Sequence, residues 1–279
     1  MLAGALVFFA GAASQPTLLK LRRATSGAAM ASTGDTATVY RDNFNTGVKP
    51  VSCPKVGNIM VAVIVGQSNV ANHGAALTKA GPRAFVFYNG LCYPAEDPLL
   101  GSTGQGGSVW PAFADRVLAS GTYDAVLLVP AAVGGSRMEA WAPGGVLSAR
   151  IEQRVSALAQ AGLEPTHFLV QQGEAEGAQH SDAKSYQANA TALLFSLKAT
   201  GADVIFATAT RCMGERNESI RKAQSAAREA TGSIAGPDAD QIGIDRKVGG
   251  CHYDATAQVE MSQAWASAVS PTAYRSGRR

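Results

Sequence analysis

A serine placed at the end of a buried apolar run is the first residue of this chain whose type and position could do chemistry. Residues 59–65, Ile-Met-Val-Ala-Val-Ile-Val, run without a polar break, are rich in β-branched types and end at Gly66. That is the profile of a strand covered on both faces. The chain then turns through Gln67-Ser68-Asn69 into a segment able to start a helix. On such a turn the Ser68 hydroxyl stands above the sheet edge and its own N–H points where an anion can bind, as a nucleophile for an acyl carbon requires. The second glycine of G-x-S-x-G is absent, and the same serine could instead cap the helix.

A nucleophilic serine needs a base, a group that orients the base, and donors for the developing oxyanion. The chain has four histidines. His73 falls inside the helix expected after Ser68 and points away on most turns. His167 sits in a buried strand, as a hydrogen-bonded core residue would. His180 lies in a polar loop and reads as a surface residue. His252, in the run Gly-Gly-Cys-His-Tyr-Asp ahead of the last helix, is left as the base by elimination, or as a packed loop histidine. Gly134 and Gly135 follow another apolar run and allow either a close backbone approach or a tight turn.

The elements that must bring these residues together alternate along the chain. Residues 84–93 form two β-type runs about Asn89-Gly90, a type I′ hairpin signal. A Gly/Pro-rich loop over 94–108 leads to a helix over 112–119. A buried strand over 125–131 ends at Gly134-Gly135, and a helix over 146–161 follows, with apolar residues at helical spacing. Next come a strand over 167–170, a loop over 171–177 and a long helix over 182–199. A strand over 204–209 precedes a helix over 218–230, and Asp254 caps a last helix over 255–269. Alternating strands and helices imply a parallel sheet covered on both faces, with the ligand site outside the carboxyl ends of the strands. Ser68, Gly134, Gly135, the segment Gln172–Glu176 and His252 are therefore expected on one edge.

The 279 residues suffice for one large α/β domain, with 46% hydrophobic and 16% charged residues and a net charge of +3. That charge is too small, and the basic residues too scattered, to suggest nucleic acid. Residues 2–13 are apolar and small, with the Ala10-Gly11-Ala12 pattern of a signal-peptide cleavage site, but no Lys or Arg precedes them. The run is also too short to span a bilayer, so no stable membrane insertion is expected. The expected organisation is a signal peptide over 1–14, a flexible linker over 15–50, one catalytic domain over 51–270 and a disordered tail over 271–279. Secretion or periplasmic export follows from the signal peptide, and a cytoplasmic protein with a disordered N-terminal tail is the alternative.

Gly66-Gln67-Ser68-Asn69-Val70 resembles the first block of the SGNH, or GDSL-like, hydrolases. It is most similar to the branch of sialate O-acetylesterase and related carbohydrate acetylesterases, whose block is usually G-Q-S-N-M. Gly134-Gly135-Ser136 with Trp141 downstream, Gln172-Gly173-Glu174, Gly236-Pro237-Asp238-Ala239-Asp240 and the block around His252 fit the same branch in order. The resemblance implies a three-layer α/β/α fold on a parallel, flavodoxin-like five-stranded sheet. It implies Ser68 as nucleophile and His252 as base, with the N–H groups of Ser68 and Gly134 or Gly135 and the amide of Gln172 as oxyanion donors. No metal or cofactor is implied.

The orienting acid is where this chain departs from the family. The family's Asp three residues before the histidine is Gly249 here. Glu174 is the first candidate to replace it, with Glu176, Asp245 and Asp254 as alternatives, or a Ser–His pair with no carboxylate. Four cysteines, Cys53, Cys92, Cys212 and Cys251, contain no C-x-x-C pair, and an exported protein could form two disulfides from them. Of three pairings, Cys53–Cys92 with Cys212–Cys251 is preferred, because the second bond would join two loops on one sheet edge. Asn189 and Asn217 begin N-glycosylation sequons, both touching expected helices. The function implied is a serine esterase removing O-acetyl groups from a carbohydrate. An O-acyltransferase acting on a polysaccharide and a silent carbohydrate-binding protein are the alternatives.

Overall fold

The computed structural model describes Asp42, Asn43 and residues 47–270, all of them within one compact unit. The expected signal peptide, most of the linker and the expected C-terminal tail lie outside the described residues. The strands are β1 (Ile59–Gly66), β2 (Ala84–Tyr88), β3 (Leu91–Pro94), β4 (Ala125–Pro130), β5 (His167–Gln171), β6 (Asp203–Thr208) and β7 (Ile234–Asp238), followed by the two-residue strands β8 (Lys247–Val248) and β9 (His252–Tyr253). The helices are α1 (Trp110–Ala119), α2 (Met138–Trp141), α3 (Ser148–Gln160), α4 (Glu174–Ala178), α5 (Ala183–Lys198), α6 (Glu218–Thr231) and α7 (Ala255–Ala268).

Seven strands form the main sheet in the order β3-β2-β4-β1-β5-β6-β7, and every pairing is parallel except β2–β3. The sheet is thus wider than the five strands expected. At one edge β3 is the second arm of the hairpin at Asn89-Gly90, where both residues have positive φ, as a type I′ turn demands. At the other, residues 234–238 pair with β6 although they contain Gly236 and Pro237, residues that favour turns. An edge strand tolerates such residues because one side needs no ladder partner.

β1 lies in the middle, and its alternation divides the core into two layers. Met60, Ala62 and Ile64 pack with Trp110, Phe113, Met261 and Trp265 from α1 and α7. Val61, Val63 and Val65 pack with Trp141, Ile151, Leu193 and Ile220 from α2, α3, α5 and α6. A strand with apolar residues on both faces is what such a three-layer arrangement needs. Helix starts follow their caps: Asp182, Asn217 and Asp254 each accept hydrogen bonds from first-turn backbone N–H groups. None of the helices in the described region is long and apolar enough to cross a membrane.

Both disulfides form as preferred, Cys53–Cys92 and Cys212–Cys251. Asp42 and Asn43, placed by composition in a flexible linker, are instead bonded to the domain. Asp42 pairs with Arg150 and Arg154 and accepts from Tyr88 Oη, and the Asn43 N–H donates to the Ser102 carbonyl at 2.8 Å. Two charged partners supply the anchoring that a polar segment gets from nothing in its own composition.

Candidate active site

From β1 the chain first builds the β2 and β4 side of the sheet, then crosses to β5 on the other side. The carboxyl end of β1 is therefore the switch point, where α/β proteins place their ligands. Ser68 stands there, but the helix expected after it does not form. The regular segment is a three-residue 3-10 turn, Ser68–Val70, and the chain then runs irregularly past His73. Groups from elsewhere capture its backbone: the Trp110 side chain donates from Nε1 to the Val70 carbonyl, and the Asn72 N–H donates to the backbone carbonyl of Thr103. Tertiary partners outcompete the helical ladder.

Ser68 is 4% exposed, and its hydroxyl makes no hydrogen bond to a described residue. β9, which carries His252, packs against the Ser68–Val70 turn. The Asn69 amide fastens this contact, donating to the Cys251 carbonyl at 3.1 Å. Cys251 is tied to Cys212 on the loop after β6, and Met213 N–H donates to the Gly250 carbonyl at 2.8 Å. The histidine loop is thus anchored to two strand ends. Burial, and then the Lys247 ammonium, lower the pKa of His252 below its ordinary value. The imidazole is accordingly neutral and basic at pH 7.

The groups expected as oxyanion donors divide. Gly134 N–H is already taken by Thr103 Oγ1 at 2.7 Å. The N–H groups of Ser68 and Gly135 donate to no described residue. The Gln172 amide is occupied by Gln67 Oε1, the Ser136 carbonyl and Glu176 Oε2, at 3.3, 3.0 and 2.8 Å. It ties β5 to the glycine loop, and with Trp141 Nε1 donating to Ser136 Oγ it fixes the shape of that loop.

No carboxylate hydrogen-bonds to His252 among the described residues. Glu174 Oε1 accepts from Asn69 Nδ2 at 3.1 Å and Gln171 Nε2 at 2.8 Å, and Oε2 is buried with no partner. Glu174 thereby reaches the Ser68 turn through Asn69 rather than the imidazole. Glu176 accepts from Met138 N–H and Gln172, and burial raises its pKa. Asp254 caps α7, and Asp245 is exposed on a 3-10 turn. Gly249 has φ +60 with open space where a side chain would stand. Glu174→Ala is expected to lower stability by about 2–5 kcal/mol in chemical denaturation, because it orphans two buried amide donors. Glu174→Gln keeps the accepting oxygen and is expected to cost clearly less.

Of the remaining histidines, His167 is a core residue as expected: it is buried, its Nδ1 lies 2.8 Å from Thr166 Oγ1, and burial lowers its pKa to about 4. His180 is exposed in its loop. His73 is the residue the sequence misplaced. Without a helix to turn it away, its ring lies 5.2 Å from that of His252, centroid to centroid. Asp240, in the Gly236–Asp240 block, is a buried hub accepting from Thr210, Arg211 and Arg221.

A serine at the end of the central parallel strand, with a histidine strand packed against it, makes this an α/β protein of the SGNH hydrolase fold. Residues 58–271 match the family described as carbohydrate esterase, sialic acid-specific acetylesterase, and the chain belongs to that family. A structure of an Arabidopsis thaliana protein is similar at TM-score 0.63 and 23% identity, over 76% of this chain and 98% of that one. A variant of an acetyl xylan esterase from Geobacillus stearothermophilus is similar at TM-score 0.52 and 14% identity, over 76% and 95%. These likenesses speak for the fold. No curated protein matches the chain.

Proposed function

We propose that this protein is a serine esterase that removes O-acetyl groups from a carbohydrate, with Ser68 as nucleophile and His252 as general base. The observation that carries the reading is the Ser68 turn itself: a serine at the switch point, its N–H engaged by no described residue, packed against the strand that presents a neutral imidazole. In this reading Ser68 Oγ attacks the acetyl carbonyl while His252 takes its proton. The N–H groups of Ser68 and Gly135 receive the oxyanion, and Gln172 acts at one remove by shaping the glycine loop. His252 then returns the proton to the departing sugar oxygen, and water releases acetate by the reverse roles. The family's description names sialic acid, and the Geobacillus neighbour's name acetyl xylan. An O-acetylated sugar is the substrate class common to both. The two disulfides support work in an oxidising compartment outside the cytosol.

That no carboxylate among the described residues hydrogen-bonds to His252 favours one rival, a silent carbohydrate-binding protein on the same scaffold. Purified protein is expected to hydrolyse p-nitrophenyl acetate and to release acetate from acetylated sugars. The acid limb of kcat/KM should lie below the ordinary histidine value of about 6.5, because a lowered pKa keeps His252 unprotonated to lower pH. Sugar binding without acetate release would establish the rival.

A further inference from the structure

His73 is held with more care than a surface loop residue needs. Its segment is clamped on one side by the glycine-rich loop 101–107. Asn72 N–H donates to the Thr103 carbonyl at 2.9 Å, Gly106 N–H returns to the Asn72 carbonyl at 2.8 Å, and Gly74 and Gly107 exchange both of their hydrogen bonds. A Cβ on Gly104 would stand 2.2 Å from the Asn72 carbonyl oxygen, and one on Gly107 1.6 Å from that of Ala76. Only glycines allow the loop to lie so close. On the other side Ala75 N–H donates at 3.0 Å to the carbonyl of Tyr253, the residue after His252.

The clamp delivers one functional side chain. The His73 ring tilts at 33° to that of His252 with centroids 5.2 Å apart. Its Nε2 lies 3.5 Å from Thr103 Oγ1, the same hydroxyl that holds Gly134 N–H. It fills the space over Gly134, where a Cβ would come within 2.6 Å of Nε2. The ring therefore spans the glycine loop and the histidine strand, the two parts of the site that must keep register with Ser68.

We propose, building on the esterase reading, that His73 is the positioning residue of His252, its ring packed beside the imidazole. A carboxylate orients the base and stabilises its imidazolium. A fixed neutral ring packed at a tilt against it does the first directly, and the second through the ring's electron-rich face and polar edge. The arrangement requires that, once His252 has taken the serine proton, the pair carries a single positive charge, on His252. Burial keeps His73 neutral, and a charge on His252 lowers its pKa further. The charge acting on His252 is that of Lys247 from β8, whose ammonium is bound to the Arg211 carbonyl.

The test combines kinetics on p-nitrophenyl acetate with NMR titration of the histidine rings. His73→Ala is expected to lower kcat about tenfold or more with little change in KM, the pattern for a lost orienting partner when nucleophile and oxyanion donors remain. His73→Phe, which keeps a ring face, should recover a large part of that loss, whereas a residue that merely filled space over Gly134 would be matched equally by His73→Leu. In His252→Gln, the His73 midpoint should rise, since the charge that depresses it is gone. An unmoved midpoint would overturn the coupling of the rings. So would an unchanged kcat in His73→Ala, or equal rescue by Phe and Leu. The titration needs no turnover, so an inactive parent protein would refute the esterase reading while leaving this proposal to be decided by the His73 midpoint.

Discussion

Ser68→Ala is expected to abolish ester hydrolysis to within the reach of oxyanion donors alone, a loss of up to about 10⁶-fold in kcat. The hydroxyl makes no hydrogen bond to a described residue, so its removal orphans no partner. The turn is held from outside Ser68, by Trp110 on the Val70 carbonyl and by Asn69 on Glu174 and Cys251. Stability should therefore stay within about 0.5–1 kcal/mol of the parent, as for a substitution away from packing and networks. This combination, an intact melting curve with rate lost, separates nucleophile from helix cap, since a lost cap typically costs about 1 kcal/mol and leaves chemistry alone. Activity within tenfold of the parent would remove Ser68 from the reaction. A serine-reactive phosphonate should attach to the same residue, seen by peptide mass spectrometry.

How far the sequence reached depended on whether an element was governed by local pattern or by distant partners. β1, β4, β5 and β6 are continuous apolar runs, and helices α5, α6 and α7 begin at side chains able to cap them, so periodicity and caps place them within a residue or two. The hairpin at Asn89-Gly90 was legible because the turn type demands those residues. β7 was not, because Gly and Pro argue for a turn and only pairing with β6 makes residues 234–238 a strand. α2 and α4, of four and five residues, are too short to show a period.

The site divides the same way. Ser68, Gly134 and Gly135 follow the carboxyl ends of β1 and β4, as chain order predicts, whereas His252 lies on β9, outside the main sheet, and was legible through the block it resembles. Partner choice was not legible. Glu174 could have reached either the imidazole or the Ser68 turn, and what decides it is Asn69 and Gln171, two amides whose donors need a buried acceptor. The place of His73 was not legible, because the local pattern favours a helix where Asn72, Trp110 and the glycine loop pull the chain out of helical form. A signal existed in the density of glycines over 101–107, which marks close backbone approach, but not in what the loop approaches.

Gly66→Ala is expected to have the largest effect on stability, more than about 4 kcal/mol, a size that belongs to severe core or backbone conflicts. Gly66 has φ +142, where residues with a side chain are strained. Its added methyl would stand 1.9 Å from the Gln171 carbonyl oxygen on β5, its parallel partner. Neither strand can yield easily. The Gln171 carbonyl accepts from Gln67 N–H, and the Gly66 carbonyl accepts from Val133 N–H, so relief at one point strains the next. For a domain of this size the loss corresponds to a Tm about 10 °C or more below the parent. The displaced groups also set the geometry of the site: Gln67 precedes the proposed nucleophile Ser68, and Val133 precedes the glycine pair proposed to offer the second oxyanion donor. The little protein that still folds should therefore be slower per molecule as well. A variant with parental Tm would mean that β1 and β5 do not meet as closely as Gly66 allows, and calorimetry on purified Gly66→Ala protein decides the point.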